Sequence, residues 1–293
     1  STEDTGQANI AVGQGAMNTN TEGNCNISIG HRSMDLNTTG SNNTAVGKDA
    51  MRCNTTASNN TAFGFESLNC NSSGIHNSAV GQALCKNTTG NCNVAMGSGA
   101  LSANTTASNN SAFGRSALTA NTTGTANTSI GGCALKSNTT ASDNTAVGFN
   151  NSFTNTTGTN NTSIGRSAFY NNTTGSSNIS VGNESLNANT TGANNTAVGL
   201  CALNDNTTAD NNTAVGSCSL KANTTGSALT ALGKSALTAN TTGSGNVALG
   251  NAMESNTTGS NNTAGGNGAL QSNTTASGNT AFGRIALSAN TTG

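Results

Sequence analysis

Apolar and polar residues repeat along this chain with a short and nearly constant period. A run of the type N-T-A-V ends at a glycine that recurs from Gly13 through Gly30 and Gly47 to Gly283, with the same spacing throughout except for two intervals that are one position shorter. The consensus of the 17 copies is N-N-T-A-V-G-x-x-A-L-x-x-N-T-T-G-S. We number the positions of each copy so that the recurring glycine is position 6. The copies fill the sequence, so we expect residues 1–293 to form a single tandem-repeat solenoid, a fragment or unit of a longer fibre.

Positions 2 to 5 have the composition of a short strand. Position 4 is Ala or Ser in every copy, position 3 is Thr, Ser, Ile or Val, and position 5 is apolar except at Gly265. Small and β-branched residues in this arrangement predict a strand. No charged residue occurs at positions 2 to 5, so neither face looks like a solvent face. We therefore expect both faces to be covered, as in a parallel sheet.

The segment after the glycine has a different period. Positions 6, 9, 10 and 13 recur as Gly, a small residue, Leu or Met, and Asn, which is the i, i+3, i+4, i+7 spacing of a helix. All ten Lys and Arg lie at positions 7, 8, 11 and 12, as Lys48 and Arg115 do, and these positions are expected to face water. The following N-T-T-G suits a helix end and a left-handed turn.

These segments predict a repeat solenoid of 17 coils, each with one short parallel β-strand, a short helical turn and an N-T-T-G turn. Coils stacked at about 4.8 Å would extend over roughly 80 Å. Helices pack about 8–10 Å apart, which is wider than the strand spacing. An all-β roll or β-helix with corners at the variable positions is therefore the alternative architecture.

Asparagine forms two rows in the repeat. It occupies position 2 in 16 copies, with Leu229 as the exception, and position 13 in all 17. Identical amides on stacked coils can hydrogen-bond to one another along the stacking axis. We interpret at least the position-2 row as such an Asn ladder.

Composition narrows the classes of protein and of partner. Aromatic residues make up 3% and charged residues 7% of the chain, Trp and Pro are absent, and the net charge is −1. A conventional core is therefore not expected, and regular stacking must supply the order. No apolar run approaches the length of about 18–20 residues that spans a bilayer. The few basic residues are evenly spread, so we expect neither membrane insertion nor a nucleic-acid partner.

Position 13 also begins an N-glycosylation sequon, N-T-T or N-S-S, in 16 copies. These candidates are Asn37, Asn54, Asn71, Asn87, Asn104, Asn121, Asn138, Asn155, Asn172, Asn189, Asn206, Asn223, Asn240, Asn256, Asn273 and Asn290. Further N-N-T or N-N-S acceptors are Asn42, Asn59, Asn109, Asn160, Asn194, Asn211 and Asn261. One interpretation is a shaft coated with covalently attached glycans. The other is that N-T-T-G is simply a favourable turn and ladder sequence.

Two pairs among the eight cysteines are candidates for disulfides between coils. Cys53 and Cys70 share one repeat position in consecutive copies, and so do Cys201 and Cys218. Residues in register on adjacent strands lie within disulfide range, and such bonds would indicate an oxidising extracellular setting. Scattered free thiols are the alternative. Cys85 and Cys92 are a weaker candidate pair, and the other two cysteines have no obvious partner.

No combination of residues predicts catalysis. The sequence has no C-x-x-C motif, only two His, no phosphate-binding loop and no Ser-His-Asp set, so we expect no enzyme, no metal site and no cofactor. Paired Thr at positions 14 and 15 form two regular rows. Such rows raise ice binding as a further alternative, although adjacent Thr on a strand would point to opposite faces.

The repeat, for example Asn43 to Gly47 followed by Ala50, Met51 and Asn54 to Thr56, resembles 17-residue repeats of bacterial surface and phage tail-fibre-like proteins. More loosely, it is similar to the shorter N-S-V-A-I-G-x-x-A head repeats of trimeric autotransporter adhesins. The resemblance covers essentially the whole chain and implies an adhesive or fibre role, with trimerisation as one mode of assembly.

These observations favour a structural shaft of an extracellular fibre, or of one on a cell or virion surface. The repeat runs to Gly293 without a capping sequence, so we expect the chain to assemble with itself, end to end or laterally. An adhesin or receptor-binding fibre module is the alternative, and an ice-binding solenoid is a further one.

Overall fold

The computed structural model describes residues 6–291, which belong to two compact units divided between Asn144 and Thr145. Each unit is a parallel β-solenoid in which successive coils lie one sequence repeat apart, as predicted, so that Ile10 pairs with Ile27 and Thr196 with Thr213. The division falls inside a strand-forming run of the repeat, and the repeat sequence does not change there. The two units therefore have the same local architecture.

Each coil contributes one strand of three residues. The first unit contains β1 (Ile10–Val12), β2 (Ile27–Ile29), β3 (Thr44–Val46), β4 (Thr61–Phe63), β5 (Ser78–Val80), β6 (Val94–Met96), β7 (Ser111–Phe113) and β8 (Thr128–Ile130). The second contains β9 (Thr145–Val147), β10 (Thr162–Ile164), β11 (Ile179–Val181), β12 (Thr196–Val198), β13 (Thr213–Val215), β14 (Thr230–Leu232), β15 (Val247–Leu249), β16 (Thr263–Gly265) and β17 (Thr280–Phe282). Within each unit, consecutive strands pair in parallel and in register, so that Thr44 lies beside Thr61 and Ala45 beside Ala62.

The predicted helical turn is wrong, since residues 6–291 contain no helix. Position 10 has a positive φ in every copy, between 45° and 54°, as in Met51 and Leu68. Position 8 also has a positive φ wherever it is present, for example 56° at Asp49. A right-handed helix needs consecutive residues with φ near −63°. Two left-handed residues separated by one position turn the chain through corners instead, so the alternative all-β roll describes the coil.

Backbone hydrogen bonds run from coil to coil all the way around the repeat. On the strand, the Thr44 N–H donates to the Asn60 carbonyl at 2.9 Å. After the corner, the Met51 N–H donates to the Ser67 carbonyl at 2.9 Å. Within a coil, the Asn54 N–H donates to the Met51 carbonyl at 3.0 Å and closes a turn. The neighbouring coils thus satisfy the backbone groups that a helix would satisfy internally.

The interior of each coil is thin. Side chains at positions 2, 4, 9, 10, 13 and 16 point inward, and position 10 supplies the largest ones, such as Met34, Leu101 and Phe169, each 0% exposed. Full burial of one such side chain contributes about 1.5–3 kcal/mol. The stripe that resembled a helix is real, because positions 9, 10 and 13 are buried together, but corners rather than a helix bring them inside.

The glycine at position 6 is required by both conformation and space. Its φ lies between 117° and 139° in the 15 full-length copies. A Cβ added at Gly47 would lie 2.4 Å from the carbonyl oxygen of Gly64 on the next coil. The two shorter copies lack position 8, and their glycines, Gly81 and Gly250, have φ of 83° and 80° with more space around them.

Candidate assembly face and modification sites

The strands present one uncharged face to solvent in each unit. Position 4 points inward, while positions 3 and 5 point outward, and we call the outward residues of both positions the outer strand face. Its large apolar side chains include Phe63, 42% exposed, Met96, 47% exposed, and Ile130, 42% exposed. Within the part of the chain that the structure describes, no other segment covers the outer strand face, so its expected cover would have to come from a partner and stays a prediction. The inner face is covered by the coil itself.

The position-2 asparagines form the predicted ladder. Asn43 donates from its backbone N–H to the Oδ1 of Asn26 on the preceding coil at 2.9 Å. Its Nδ2 donates to the same Oδ1 at 3.2 Å and to the Ala57 carbonyl at 2.8 Å. Leu229 interrupts the row, and its backbone N–H still donates to the Asn212 Oδ1 at 2.9 Å. This row is structural.

The position-13 asparagines form a second ladder. Asn54 Nδ2 donates to the Asn37 Oδ1 at 2.7 Å and to the Ala57 carbonyl at 3.0 Å. Because Asn43 donates to that same carbonyl, position 16 links the two ladders inside each coil. Every buried amide hydrogen of Asn54 therefore has an acceptor, which makes this row as structural as the first.

Burial separates the predicted glycosylation sites. Of the 16 position-13 candidates, 15 are buried with an exposure of 0–1%, and Asn290 is partly exposed. In the folded coil there is no space for a sugar on the 15 buried amides. Whether any of the 16 is modified stays a prediction.

The seven further acceptors lie at position 1 and are all exposed: Asn42, Asn59, Asn109, Asn160, Asn194, Asn211 and Asn261. Each has a left-handed backbone, with φ between 56° and 62°, a conformation in which Asn is favoured among non-glycine residues. The sequence interpretation missed Asn171, an exposed N-N-T acceptor at position 12. The N-N-T motif that begins at Asn171 would have been enough to identify it in the sequence.

The paired threonines do not form one surface. At position 14, the Thr55 hydroxyl donates to the Ser72 carbonyl of the next coil at 3.1 Å, and the Thr38 hydroxyl donates likewise to Thr55 at 3.0 Å. Thr56 at position 15 is exposed. Only one of the two rows is therefore presented to solvent, and the other completes the coil-to-coil bonding.

The cysteines lie where the register predicts, and all eight are free thiols in this structure. Burial raises the pKa of the Cys70 thiol above its usual value, and its neighbours Cys53 and Glu66 raise it further. Burial, followed by Cys218, raises the pKa of Cys201 in the same way. The two predicted pairs are therefore neighbouring thiols, and disulfide formation stays a prediction.

Cys85 is a third thiol beside the first of these pairs, although it lies at position 11 and Lys86 holds position 12 in this shorter copy. The Cys70 N–H donates to the Cys85 carbonyl at 3.1 Å, and burial, then Glu66 and Cys70, raise the pKa of Cys85. Its neighbour is thus Cys70 rather than Cys92.

All ten Lys and Arg lie at the variable corner positions, and Asp49, at one of the same positions, is buried although these positions were expected to face water. Asp49 is 6% exposed, and its Oδ1 lies 3.0 Å from the Arg32 Nη2 on the preceding coil. Lys48 Nζ lies 5.6 Å from the ring centroid of Phe65, also one coil away. The charges at these corners therefore bridge consecutive coils.

Three kinds of feature are missing from residues 6–291. They contain no group of three His, Cys, Asp or Glu residues able to hold a metal ion, no pocket, and no helix that could span a bilayer. The expectations from the sequence that the chain is no enzyme and has no cofactor or metal site stay predictions.

Comparisons with known proteins do not place the chain in a family. Protein-family models, curated proteins and solved structures were all searched, and none of them matched. The resemblance to fibre and adhesin repeats stays a prediction.

Proposed function

We propose that this chain is a structural shaft, in which self-stacking coils form part of an extracellular fibre or of a fibre on a cell or virion surface. One observation carries the proposal. Within each unit, coils bond to their neighbours through backbone and Asn-ladder hydrogen bonds in the same register, as Asn43 does to Asn26 and Asn54 does to Asn37. A coil of a second copy has the donors and acceptors to continue such a stack, which supports end-to-end assembly.

The outer strand face supports lateral assembly of the same chains. It carries no charge, and its position-5 residues are apolar in all but one copy. Exposed apolar surface in a regular row favours contact with another apolar surface. A second copy brings the same repeat spacing, so its rows would match along the face. A trimer is one arrangement that satisfies this pairing.

The test is an examination of the purified full chain by electron microscopy and light scattering over a range of concentrations. We expect filaments or laterally associated particles that grow with concentration. Particles of one chain at every concentration would contradict the proposal.

A variant separates lateral from end-to-end assembly. Phe63→Lys with Ile130→Lys places two charges on the outer strand face of the first unit, four coils or about 19 Å apart, too far to repel each other strongly. We expect lateral association to be lost. The matched control is Thr56→Lys with Thr123→Lys, two exposed position-15 residues also four coils apart. Equal loss in both variants would argue against the outer strand face.

An adhesin or receptor-binding module is a second candidate because the same exposed face could contact a ligand. Phe63, Met96 and Ile130 would then form part of a binding surface. A glycan array probed with the full chain tests this function. Binding that Phe63→Lys abolishes would favour it over the shaft, and an array without signal would remove it.

A further inference from the structure

Two rows of N-glycosylation sequons occur in this repeat, and the structure treats them differently. The position-13 asparagines lie inside the coil, whereas the seven position-1 asparagines lie outside it. The hydroxyl residue of each sequon does not explain the difference. Thr56 completes the sequon of Asn54 and is exposed, and Thr44 completes the sequon of Asn42 and is partly exposed. The asparagine itself decides whether a sequon is accessible.

Both side-chain amide hydrogens of the buried asparagine are already donated in hydrogen bonds. Asn54 Nδ2 donates one hydrogen to the Asn37 Oδ1 at 2.7 Å and the other to the Ala57 carbonyl at 3.0 Å. Attachment of a sugar would replace one of these hydrogens with a carbon and leave a buried acceptor without its donor. That loss leaves a buried polar atom unsatisfied, which is destabilising, and the sugar would also have to displace the neighbouring coil.

The side-chain amide of the exposed asparagine is not held by such hydrogen bonds. Asn42 is held by its backbone, whose N–H donates to the Asn24 carbonyl at 2.9 Å. In residues 6–291, the side-chain Nδ2 of a position-1 sequon asparagine donates a hydrogen bond only at Asn160, to the adjacent Thr159 hydroxyl at 3.1 Å. The left-handed turn therefore fixes the backbone and leaves the amide in solvent.

We propose that the folded chain accepts N-linked sugar at the position-1 asparagines and not at the buried position-13 asparagines. In the transfer, the Asn Nδ2 forms a bond to C1 of the sugar of a sugar nucleotide. The bond from C1 to the diphosphate oxygen breaks, the nucleoside diphosphate leaves, and Nδ2 loses one proton. The step involves no oxidation or reduction. This inference specifies where a glycan coat would be attached to the proposed shaft. The biological purpose of the coat rests on the proposed function, whereas the accessibility of the asparagines does not.

The experiment uses full-length chain from a host without N-glycosylation. The folded protein is incubated with UDP-glucose and a soluble N-glycosyltransferase that modifies peptides of both sequences, N-N-T-A-V and N-T-T-G-S. Peptide mass spectrometry then locates each added hexose. We expect hexose at position-1 asparagines, and at Asn171 by the same criterion, with none at the 15 buried position-13 sites. The same chain after denaturation should be modified in both rows.

Two results would overturn the inference: hexose on buried asparagines such as Asn54 in the folded chain, or unmodified position-1 asparagines in a folded chain that is modified once denatured. Asn42→Asp should remove one hexose and leave the thermal midpoint nearly unchanged, because Asp tolerates the left-handed backbone about as well as Asn does. A lower thermal midpoint of that variant would also contradict the inference that the Asn42 side-chain amide makes no stabilising hydrogen bond. Filament formation is measured separately, so failure here leaves the proposed shaft standing, and failure of the shaft leaves this result intact.

Discussion

At the residue scale, the buried asparagines combine a small volume with a defined hydrogen-bonding role. The Ala57 carbonyl accepts from Asn43 at 2.8 Å and from Asn54 at 3.0 Å, so one backbone oxygen joins both ladders. Buried amides are stabilising only when both donors and the acceptor are used. In this narrow interior, the asparagines therefore help to stabilise the coil, as larger apolar side chains do in a conventional core.

Asn54→Asp tests the ladder directly, because it exchanges the donating Nδ2 for an oxygen of the same size. The new oxygen would face the Asn37 Oδ1 and the Ala57 carbonyl, two acceptors, and would place a charge in the interior. We expect the free energy of unfolding to fall by about 3 kcal/mol at neutral pH. Thermal unfolding is the measurement.

The control for this substitution is Asn42→Asp, at an exposed position of the same coil. Its effect should stay within about 0.5 kcal/mol. Similar effects of the two changes would contradict a structural position-13 ladder.

The neighbouring thiols make a second residue-scale prediction. With Cys85→Ser to remove the third thiol near Cys70, mild oxidation of the folded chain should link Cys53 to Cys70, since in-register Cα atoms about 4.8 Å apart fall within disulfide range. Because the pKa of Cys70 is raised, its reactive thiolate is scarce near neutral pH, and linkage should accelerate as the pH rises beyond about 9.

Peptide mapping under non-reducing conditions identifies the linked residues. Cys25 and Cys92 are exposed, lie four coils apart in the same unit, and serve as the pair that should not link within one chain. Linkage of Cys25 to Cys92 within one chain, or no linkage of Cys53 at any pH, would contradict the register.

At the scale of the element, the corner after each strand depends on residues with positive φ. Positions 1, 8 and 10 are left-handed, and position 6 requires glycine. This sequence of conformations reverses the chain within a few residues and keeps each carbonyl pointed at a neighbouring coil. The strain of a left-handed non-glycine residue, about 1–2 kcal/mol each, is offset by the coil-to-coil hydrogen bonds.

Gly47→Ala tests the close approach at position 6. The added Cβ would lie 2.4 Å from the Gly64 carbonyl oxygen, with φ at 137°. We expect a destabilisation of about 3 kcal/mol or more, from the clash and the strained φ together. Gly250→Ala is the matched control, because its Cβ would meet its nearest neighbour at 3.7 Å.

Gly250→Ala should therefore cost only about 1–2 kcal/mol, the cost of a left-handed alanine. The difference in thermal midpoint between the two variants measures the steric contribution. Equal midpoints would mean that the coils do not approach as closely as the structure has them.

The sequence was sufficient to predict the strand, the coil length, the parallel register and the Asn ladders, because each follows from residues that recur at one position. It was not sufficient to predict the corner. Buried positions 9, 10 and 13 have helical spacing in either architecture, and Leu or Met at position 10 does not signal a positive φ. The one available signal was the lack of Val, Ile and Thr at position 10 in all 17 copies, since β-branched residues rarely adopt that conformation.

The candidate sites were predicted by motif but not by accessibility. Asn54 and Asn42 begin equally good sequons, and only the inward or outward direction of each side chain separates them. The sequence likewise did not show which strand face the coil itself covers, because uncharged strands in parallel sheets are usually covered on both faces. Phe63 and Met96 show that this coil covers only one of its two strand faces.

At the scale of the whole molecule, stability should come from many similar contacts between adjacent coils rather than from one core. In such a stack, each coil contributes its own folding free energy and one contact with each neighbour. Both units follow this plan, with strands in the same register in β3 and β4 and in β12 and β13. This arrangement is what a fibre shaft needs, because added length adds stability in proportion.

X-ray diffraction from an oriented film of the purified chain tests the central claim most directly. In-register parallel coils predict a strong reflection at about 4.8 Å along the stacking direction. A reflection at about 5.4 Å from a helical pitch, or no periodic reflection along that direction, would contradict the account.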